Sequence, residues 1–155
     1  MEELINTYQN IKELTEEEQK LIDSAKSACN NAYAPYSQFN VGAALLLDDG
    51  SIVIGSNQEN AAYPSGLCAE RVAIFSVMNN NPTAKIKKIA VTARKATSNG
   101  FIPAAPCGGC RQVMLEQEQK QNENIEVLFS HEDKWVRTSS IKQLLPFSFN
   151  KNSLK

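Results

Sequence analysis

Two cysteine motifs constrain this chain more than any other feature. The first is Cys68-Ala69-Glu70, and the second is Pro106-Cys107-Gly108-Gly109-Cys110. Three cysteine ligands leave a tetrahedral zinc ion with an open fourth position for water, which is typical of a catalytic rather than a structural site. The spacing therefore predicts that Cys68, Cys107 and Cys110 bind Zn2+ and that Glu70 is a catalytic carboxylate beside it.

Two less specific interpretations compete with this prediction. A Cys-x-x-Cys pair alone also occurs in structural zinc sites and in redox proteins. A structural site usually closes with a fourth ligand, and the candidates are Cys29, on the apolar stripe of a predicted helix, and His131, in a polar turn. A redox dithiol would need only the second motif and would leave Cys68 and Glu70 unexplained. The complete pattern favours the catalytic site.

The composition predicts one domain and disfavours a nucleic-acid partner. A chain of 155 residues with 42% hydrophobic residues can bury one core of ordinary size. We expect a single domain over 1–155, with an N-terminal extension over 1–14 and a polar tail over 150–155. Lys and Arg total 16 against 17 for Asp and Glu, without the basic patch that phosphate binding needs.

Localisation follows from the N-terminus and from the apolar runs. Residues 1–6 lack the basic and apolar regions of a signal peptide, and the longest apolar run, near 41–47, is too short to cross a bilayer. The sequence therefore predicts a cytoplasmic protein with no membrane partner. In that reducing compartment, four cysteines indicate metal binding rather than disulfides.

Hydrophobic periodicity predicts an α/β fold. Thr15 and Glu18 form a capping box, which marks the start of a helix. The apolar residues within 1–13 fit neither the helical period nor the strand period cleanly. The predicted order is a helix at 16–32, a hairpin of strands at 41–47 and 51–54, a helix at 68–78, a strand at 86–92, a helix at 107–119, strands at 124–130 and 134–138, and a short helix capped by Ser139 or Ser140. This order predicts a mixed sheet of about five strands flanked by helices.

The residue types suit the chemistry of a zinc hydrolase. Helix N-termini favour the thiolate that zinc requires, and both motifs are predicted at helix starts. Zinc-bound hydroxide would be the nucleophile, and Glu70 would carry its proton to the substrate and the leaving group. Three thiolates leave the site net negative, so Arg71 is expected to donate to the sulfurs, unless it is only a surface arginine.

The chain resembles the small homotetrameric zinc-dependent cytidine deaminases of the three-cysteine type, from about Leu21 to Phe149. The resemblance lies in both cysteine motifs, which match a zinc nucleobase deaminase signature with Cys68 in the histidine position. It extends to segments 33–44 (YAPYSQFNVGAA), 57–63 (NQENAAY) and 144–149 (LLPFSF). It implies a three-layer cytidine-deaminase-like fold and hydrolytic deamination of cytidine and 2′-deoxycytidine to uridine and 2′-deoxyuridine, with release of ammonia, in pyrimidine salvage.

The resemblance also implies roles for five substrate-binding residues. Phe39 would stack on the pyrimidine, and Asn57 and Glu59 would hold the ribose 3′-hydroxyl. The backbone at Ala69 would meet the base, and Phe149 would come from a neighbouring subunit. A homotetramer with active sites near subunit interfaces and a free nucleoside substrate are therefore expected.

Three other functions compete with this interpretation. A blasticidin S deaminase, or another aminopyrimidine deaminase, would use the same zinc machinery, but Phe39, Asn57 and Glu59 argue against it. The lack of a basic patch disfavours a nucleic-acid-editing deaminase. A non-catalytic zinc module is disfavoured by the three-ligand site with Glu70 beside it.

Overall fold

The computed structural model describes residues 5–155 and contains three α-helices and seven β-strands within that range. The helices are α1 (Glu16–Ala28), α2 (Ala69–Asn80) and α3 (Gly108–Gln121). The strands are β1 (Ile5–Tyr8), β2 (Phe39–Leu47), β3 (Ile52–Ser56), β4 (Ile86–Lys95), β5 (Phe101–Ile102), β6 (Glu126–His131) and β7 (Lys134–Thr138). Among residues 5–155, no helix is both long enough and apolar enough to cross a membrane.

The strands form one mixed sheet in the order β1-β7-β6-β4-β2-β3, with β5 paired to β4. The β4–β6 pair is parallel, and the other pairs are antiparallel. The prediction of about five strands was too low, because β1 and β5 were missed. β1 is a four-residue edge strand that pairs with β7 from the far end of the chain, and β5 has two residues between the strand predicted at 86–92 and the helix predicted at 107–119.

The alternation of side chains along the central strands builds two cores. Leu45, Ile89 and Val127 belong to the core under α2 and α3, whereas their neighbours Ala44, Ala90 and Leu128 belong to the core under α1. Successive residues of a strand point to opposite faces, so one apolar run supplies both layers. The predicted three-layer α/β arrangement, with helices on both faces of a mixed sheet, is confirmed.

The helix boundaries agree with their sequence signals. Thr15 accepts a hydrogen bond from Glu18 N, and the Glu18 carboxylate accepts one from Thr15 N, which completes the predicted capping box. Helix α1 ends at Ala28 and continues as one 3-10 turn over Cys29–Asn31. The predicted final helix is a 3-10 turn over Ile141–Leu144, capped by Ser140.

A glycine on β3 allows helix α2 to begin close to the sheet. A Cβ atom added at Gly55 would lie 2.5 Å from Ala69 O and 2.7 Å from Ala73 N. Those contacts are too short for any side chain, and moving the backbone of α2 away would disturb its close packing on the sheet. Gly55 therefore sets the distance between the sheet and the start of α2, where the first cysteine motif lies.

The predicted N-terminal extension joins the sheet. Its β1 strand pairs with β7, and the Tyr8 ring lies under the Arg137 guanidinium at 5.2 Å. The fully buried Glu18 carboxylate accepts from both Arg137 and Lys88 at 3.0 Å. The extension therefore covers a buried ion cluster. Residues 1–4, on which the signal-peptide and extension predictions partly rest, lie outside the described residues.

Candidate functional site

Three cysteine sulfurs meet at the start of two helices. The Sγ atoms of Cys68, Cys107 and Cys110 all lie within 4.8 Å of one another, and those of Cys68 and Cys107 are 3.8 Å apart. Zn–S bonds of about 2.3 Å in a tetrahedral site place two sulfurs roughly 3.8 Å apart. The three cysteines are free of disulfides. This spacing fits a zinc ion bound by three thiolates.

The local structure explains why the Cys68 thiol ionises readily. Cys68 is the N-cap of α2, Cys107 is the N-cap of α3, and Cys110 lies in the first turn of α3. The unpaired N–H groups and the dipole at a helix N-terminus stabilise a thiolate. A hydrogen bond with Cys110 lowers the pKa of Cys68 to about 5 despite its burial, and Arg71 contributes. The same bond with Cys68, together with burial, raises the pKa of Cys110.

The Arg71 guanidinium lies against the sulfur cluster. Its Nη2 donates to Cys68 Sγ at 3.2 Å, and this bond is the main reason why the pKa of Arg71 is raised. Its Nε is buried without a hydrogen-bond partner among residues 5–155. A fixed positive charge therefore lies beside the Cys68 sulfur.

Glu70 follows Cys68 by two residues and is 3% exposed. Burial raises the pKa of its carboxyl, and the nearby Cys68 sulfur raises it further. A carboxyl with a raised pKa takes up a proton more readily near neutral pH than an ordinary glutamate does. The position thus combines closeness to the sulfur cluster with a proton affinity suited to acid–base chemistry.

A cavity of about 770 Å³ opens above the sulfurs. It is large enough for a small organic molecule. Seven of the ten residues predicted for the site line it, namely Phe39, Asn57, Glu59, Cys68, Glu70, Arg71 and Cys107. The cavity thus joins the metal-binding motif to the three side chains that were predicted to bind the sugar and the base.

The other three predicted residues lie outside the lining of this cavity. Cys110 is fully buried behind it, and Ala69 is fully buried in the first turn of α2. Phe149 is 60% exposed, and its carbonyl accepts a hydrogen bond from Gln112 Nε2 at 2.8 Å. The Phe149 backbone is thus attached to the cysteine-bearing helix α3, while its ring faces outward.

The Asn57 amide is hydrogen-bonded to the strand that carries Phe39. Asn57 Oδ1 accepts from Val41 N at 2.8 Å, and Asn57 Nδ2 donates to Phe39 O at 2.9 Å. Asn57 and Glu59 follow β3, which ends at Ser56. These bonds orient the Asn57 amide and leave one Nδ2 hydrogen for a ligand, counting bonds among residues 5–155.

The Glu59 carboxylate is held by the turn that precedes β2. Ser37 Oγ donates to Glu59 Oε1, and the backbone N–H groups of Tyr36 and Ser37 donate to Oε2 at 3.0 and 3.2 Å. The Ser37 hydrogen bond is the main reason why the pKa of Glu59 is lowered. Glu59 is therefore ionised at neutral pH and fixed in orientation.

The two candidate fourth ligands are not part of the sulfur cluster. The Cys29 sulfur lies 3.6 Å from Thr92 Oγ1 and 3.7 Å from the carbonyls of Ala25 and Thr92. Burial raises the pKa of the Cys29 thiol, which keeps it protonated and unsuited to a metal. His131 is exposed at the end of β6. Within residues 5–155, the group of metal-binding side chains contains three cysteines and neither candidate.

Several residues of the site had no role in the sequence analysis. Ala104 and Ala105, from the loop that the sequence left undefined, line the cavity. Arg111 donates from Nε to Pro106 O at 2.8 Å and from Nη1 to Leu144 O at 3.1 Å, which ties the second cysteine motif to the C-terminal segment. Arg111 adjoins Cys110, but its partner Leu144 is 33 residues away in the sequence, so only the structure reveals this role.

A three-layer α/β fold with an open three-thiolate centre at two helix N-termini defines a zinc-dependent hydrolase. Comparison with known proteins narrows this class. Residues 15–122 match the family model described as the cytidine and deoxycytidylate deaminase zinc-binding region. The chain belongs to the cytidine deaminase family.

Individual relatives agree with this assignment. The cytidine deaminase of Sporosarcina psychrophila is 40% identical over 136 residues, covering 88% of this chain and 93% of the relative. The cytidine deaminase of Mycobacterium tuberculosis strain H37Rv is 37% identical over 131 residues, covering 84% of this chain and 88% of the relative. The crystal structure of cytidine deaminase from Burkholderia pseudomallei superposes with a TM-score of 0.70 at 41% identity, covering 88% of this chain and all of that one.

Proposed function

We propose that this protein deaminates cytidine and 2′-deoxycytidine hydrolytically to uridine and 2′-deoxyuridine, with release of ammonia. The observation that carries the proposal is that Glu70 and the cluster of three sulfurs adjoin a cavity large enough for a nucleoside. The cytidine deaminases of similar sequence support the substrate class. The pathway would be pyrimidine salvage.

The chemistry divides between the metal and Glu70. Cys68, Cys107 and Cys110 would hold Zn2+, which would make a water molecule acidic enough to act as a nucleophile near neutral pH. Glu70 takes a proton from that water and delivers it to the ring nitrogen beside the amino-bearing carbon. Glu70 then takes the remaining proton of the hydroxyl added to that carbon and gives it to the amino group, which leaves as ammonia while the carbonyl of uridine forms. Its raised pKa supports this role, because the carboxyl must hold a proton between two transfers.

The sugar site matches one hydroxyl group. A carboxylate has about four lone-pair positions, and three on Glu59 are occupied by Tyr36 and Ser37. A ribose 3′-hydroxyl can donate to the remaining position and accept from the spare Asn57 Nδ2 hydrogen. A phosphate has mainly acceptors and would meet a negative charge there. This pairing favours a nucleoside over a nucleotide.

The aromatic residues complete the proposed binding of the base. Phe39 lines the cavity and would stack on the pyrimidine. The N–H of Ala69, in the first turn of α2, has no helical acceptor and would meet the base from the other side. Phe149, with its exposed ring, would enter the cavity of a neighbouring copy.

A homotetramer with active sites near subunit interfaces is part of the proposal. Phe147 is 97% exposed and Phe149 is 60% exposed, so two aromatic rings close together in the sequence are open to contact with another chain. Light scattering on wild type and on F149A tests this arrangement. A tetramer whose KM for cytidine rises in F149A supports it, whereas a monomer with full activity contradicts it.

A blasticidin S deaminase remains the rival function. Steady-state rates on cytidine, 2′-deoxycytidine, 2′-deoxycytidine 5′-monophosphate and blasticidin S, in zinc-loaded protein, separate the two. The proposal predicts turnover of both nucleosides and poor turnover of the monophosphate. Turnover of the antibiotic alone would replace the proposal with its rival.

Two further features belong to the proposed function. One sheet that collects strands from Ile5 to Thr138 supports a single domain over 1–155. A cytoplasmic location, without membrane or nucleic-acid partners, agrees with an almost balanced charge of 16 basic and 17 acidic residues. Cell fractionation tests the location.

A further inference from the structure

The Ser37 hydroxyl links two of the proposed substrate-binding residues. Ser37 Oγ donates to Glu59 Oε1 and accepts from Phe39 N at 3.1 Å. A hydroxyl can do both, because it has one donor and two acceptor lone pairs. One atom therefore joins the carboxylate of the sugar site to the backbone of the residue that would stack on the base.

Ser37 contributes something that the backbone of its turn cannot. The N–H groups of Tyr36 and Ser37 both contact Glu59 Oε2. Two donors on one oxygen leave the carboxylate free to rotate about that oxygen. The Ser37 hydroxyl is the partner of the other oxygen, Oε1, and therefore fixes the plane of the carboxylate. The direction of the Oε1 lone pair that remains for a ligand depends on the orientation of that plane.

The position of the hydroxyl is set by the turn itself rather than by Glu59. Gln38 N donates to Ala34 O at 3.0 Å and closes the turn around Ser37. Gln38 has a φ of 56°, in the left-handed region, and its carbonyl accepts from Ala96 N at 2.8 Å on the neighbouring strand connection. A turn fixed at several points can hold a carboxylate that comes from a distant part of the chain.

We propose that Ser37 is a positioning residue that aligns the Glu59 carboxylate with the sugar 3′-hydroxyl of the substrate. Ser37 then controls affinity for the nucleoside through its sugar, and not the rate of deamination at the base. The inference rests on the proposed function, because it requires Glu59 to contact the ribose.

Steady-state kinetics of S37A on cytidine and on 3′-deoxycytidine test this role. We expect KM for cytidine to rise roughly tenfold with kcat almost unchanged, because one hydrogen bond to a charged group is lost. The KM for 3′-deoxycytidine, which lacks the hydroxyl, should be the same in wild type and S37A. Ser37→Thr keeps the hydroxyl and should restore the wild-type KM for cytidine.

Ser51→Ala is the matched control. Ser51 Oγ donates to Asp49 Oδ1 at 2.6 Å in the turn between β2 and β3, and neither residue lines the cavity. The Ser51→Ala substitution removes the same type of hydroxyl–carboxylate hydrogen bond. It should change neither the KM for cytidine nor the KM for 3′-deoxycytidine. If S37A fails to fold, as judged by thermal melting, Ser37→Cys replaces it, since a thiol has a similar shape but is a weak donor.

The outcomes separate this inference from the proposed function. An equal rise in KM on both substrates, or no rise on either, in an active enzyme would overturn the role of Ser37 and leave the deaminase proposal intact. Wild-type protein that fails to deaminate cytidine would overturn the proposed function, and the inference with it.

Discussion

Arg71 Nη2 donates to Cys68 Sγ at 3.2 Å, across one turn at the start of α2. Three thiolates carry a charge of −3 against the +2 of a zinc ion, so a bound metal would leave the centre negative. The guanidinium offsets part of that excess and fixes the direction of one sulfur. Through this contact Arg71 stabilises the bound metal, although Arg71 itself is not a metal ligand.

Replacing Arg71 by Gln should weaken zinc binding. Loss of a group that orients a metal ligand typically costs roughly 10- to 100-fold in metal affinity or activity. Competition with a coloured chelator measures the zinc affinity, and Lys87→Gln, which removes an exposed charge on β4, is the control. Equal affinities for zinc in R71Q, K87Q and wild type would show that Arg71 is only a surface charge.

Replacing Glu70 by Gln should abolish turnover while the metal stays bound. The amide has nearly the same shape but cannot shuttle a proton, so kcat should fall by roughly 10³-fold. Metal analysis should still find one zinc per chain. Glu116→Gln, on an exposed position of α3, is the control and should keep full activity. Turnover that survives in E70Q would rule out the proton-shuttle role.

Replacing Gly55 by Ala should damage both stability and the metal site. The added methyl would lie 2.5 Å from Ala69 O, so helix α2 would have to move away from β3. Overpacking of this kind costs about 1–3 kcal/mol in the free energy of unfolding. Urea denaturation measures this cost. Gly100→Ala, whose Cβ would have its nearest neighbour at 3.5 Å, should unfold like wild type. An unfolding midpoint of G55A equal to that of G100A would contradict the packing argument.

The buried Glu18 should make stability depend on pH in acid. Burial alone would raise its pKa, but the Thr15 backbone N–H, Lys88 and Arg137 together lower it from 4.5 to about 2. A carboxyl whose pKa is lower in the folded state stabilises the protein above about pH 4.5, and this contribution is lost as the pH falls toward 2.

Glu18→Gln should therefore lower stability at pH 7 by roughly 2–3 kcal/mol and should flatten the acid side of the stability curve. Thermal melting between pH 7 and pH 3 measures both effects. Glu17→Gln is the control, since Glu17 is 56% exposed and 3.7 Å from the same Lys88. A loss of stability in E18Q that stays constant down to pH 3 would contradict the assigned pKa.

The sequence predicted the features whose signals are local. Both cysteine motifs begin helices, as their residue types indicate, and the capping box of Thr15 and Glu18 lies where the pattern placed it. The apolar run at 41–47 predicted β2, because buried central strands are continuously hydrophobic, and the strand predicted at 86–92 is the first part of β4.

Features that depend on distant partners were not predictable in the same way. Ile5 pairs with Thr138, and four residues of edge strand carry too little periodicity to indicate that pairing. The hydrogen bond from Ser37 to Glu59 joins two residues 22 positions apart. It depends on the geometry of the turn around Ser37, which the sequence pattern does not specify. The resemblance predicted the substrate contacts as a set, whereas the structure shows the bonds that orient those side chains.

The central claim is that zinc bound to three cysteine sulfurs drives the deamination of cytidine. Stepwise removal of metal with a chelator, with zinc content and the cytidine-to-uridine absorbance change measured on each sample, tests it most directly. We expect one zinc per chain in the active protein, activity that falls in proportion to zinc content, and recovery of activity when zinc is added back. Full activity in metal-free protein would contradict it.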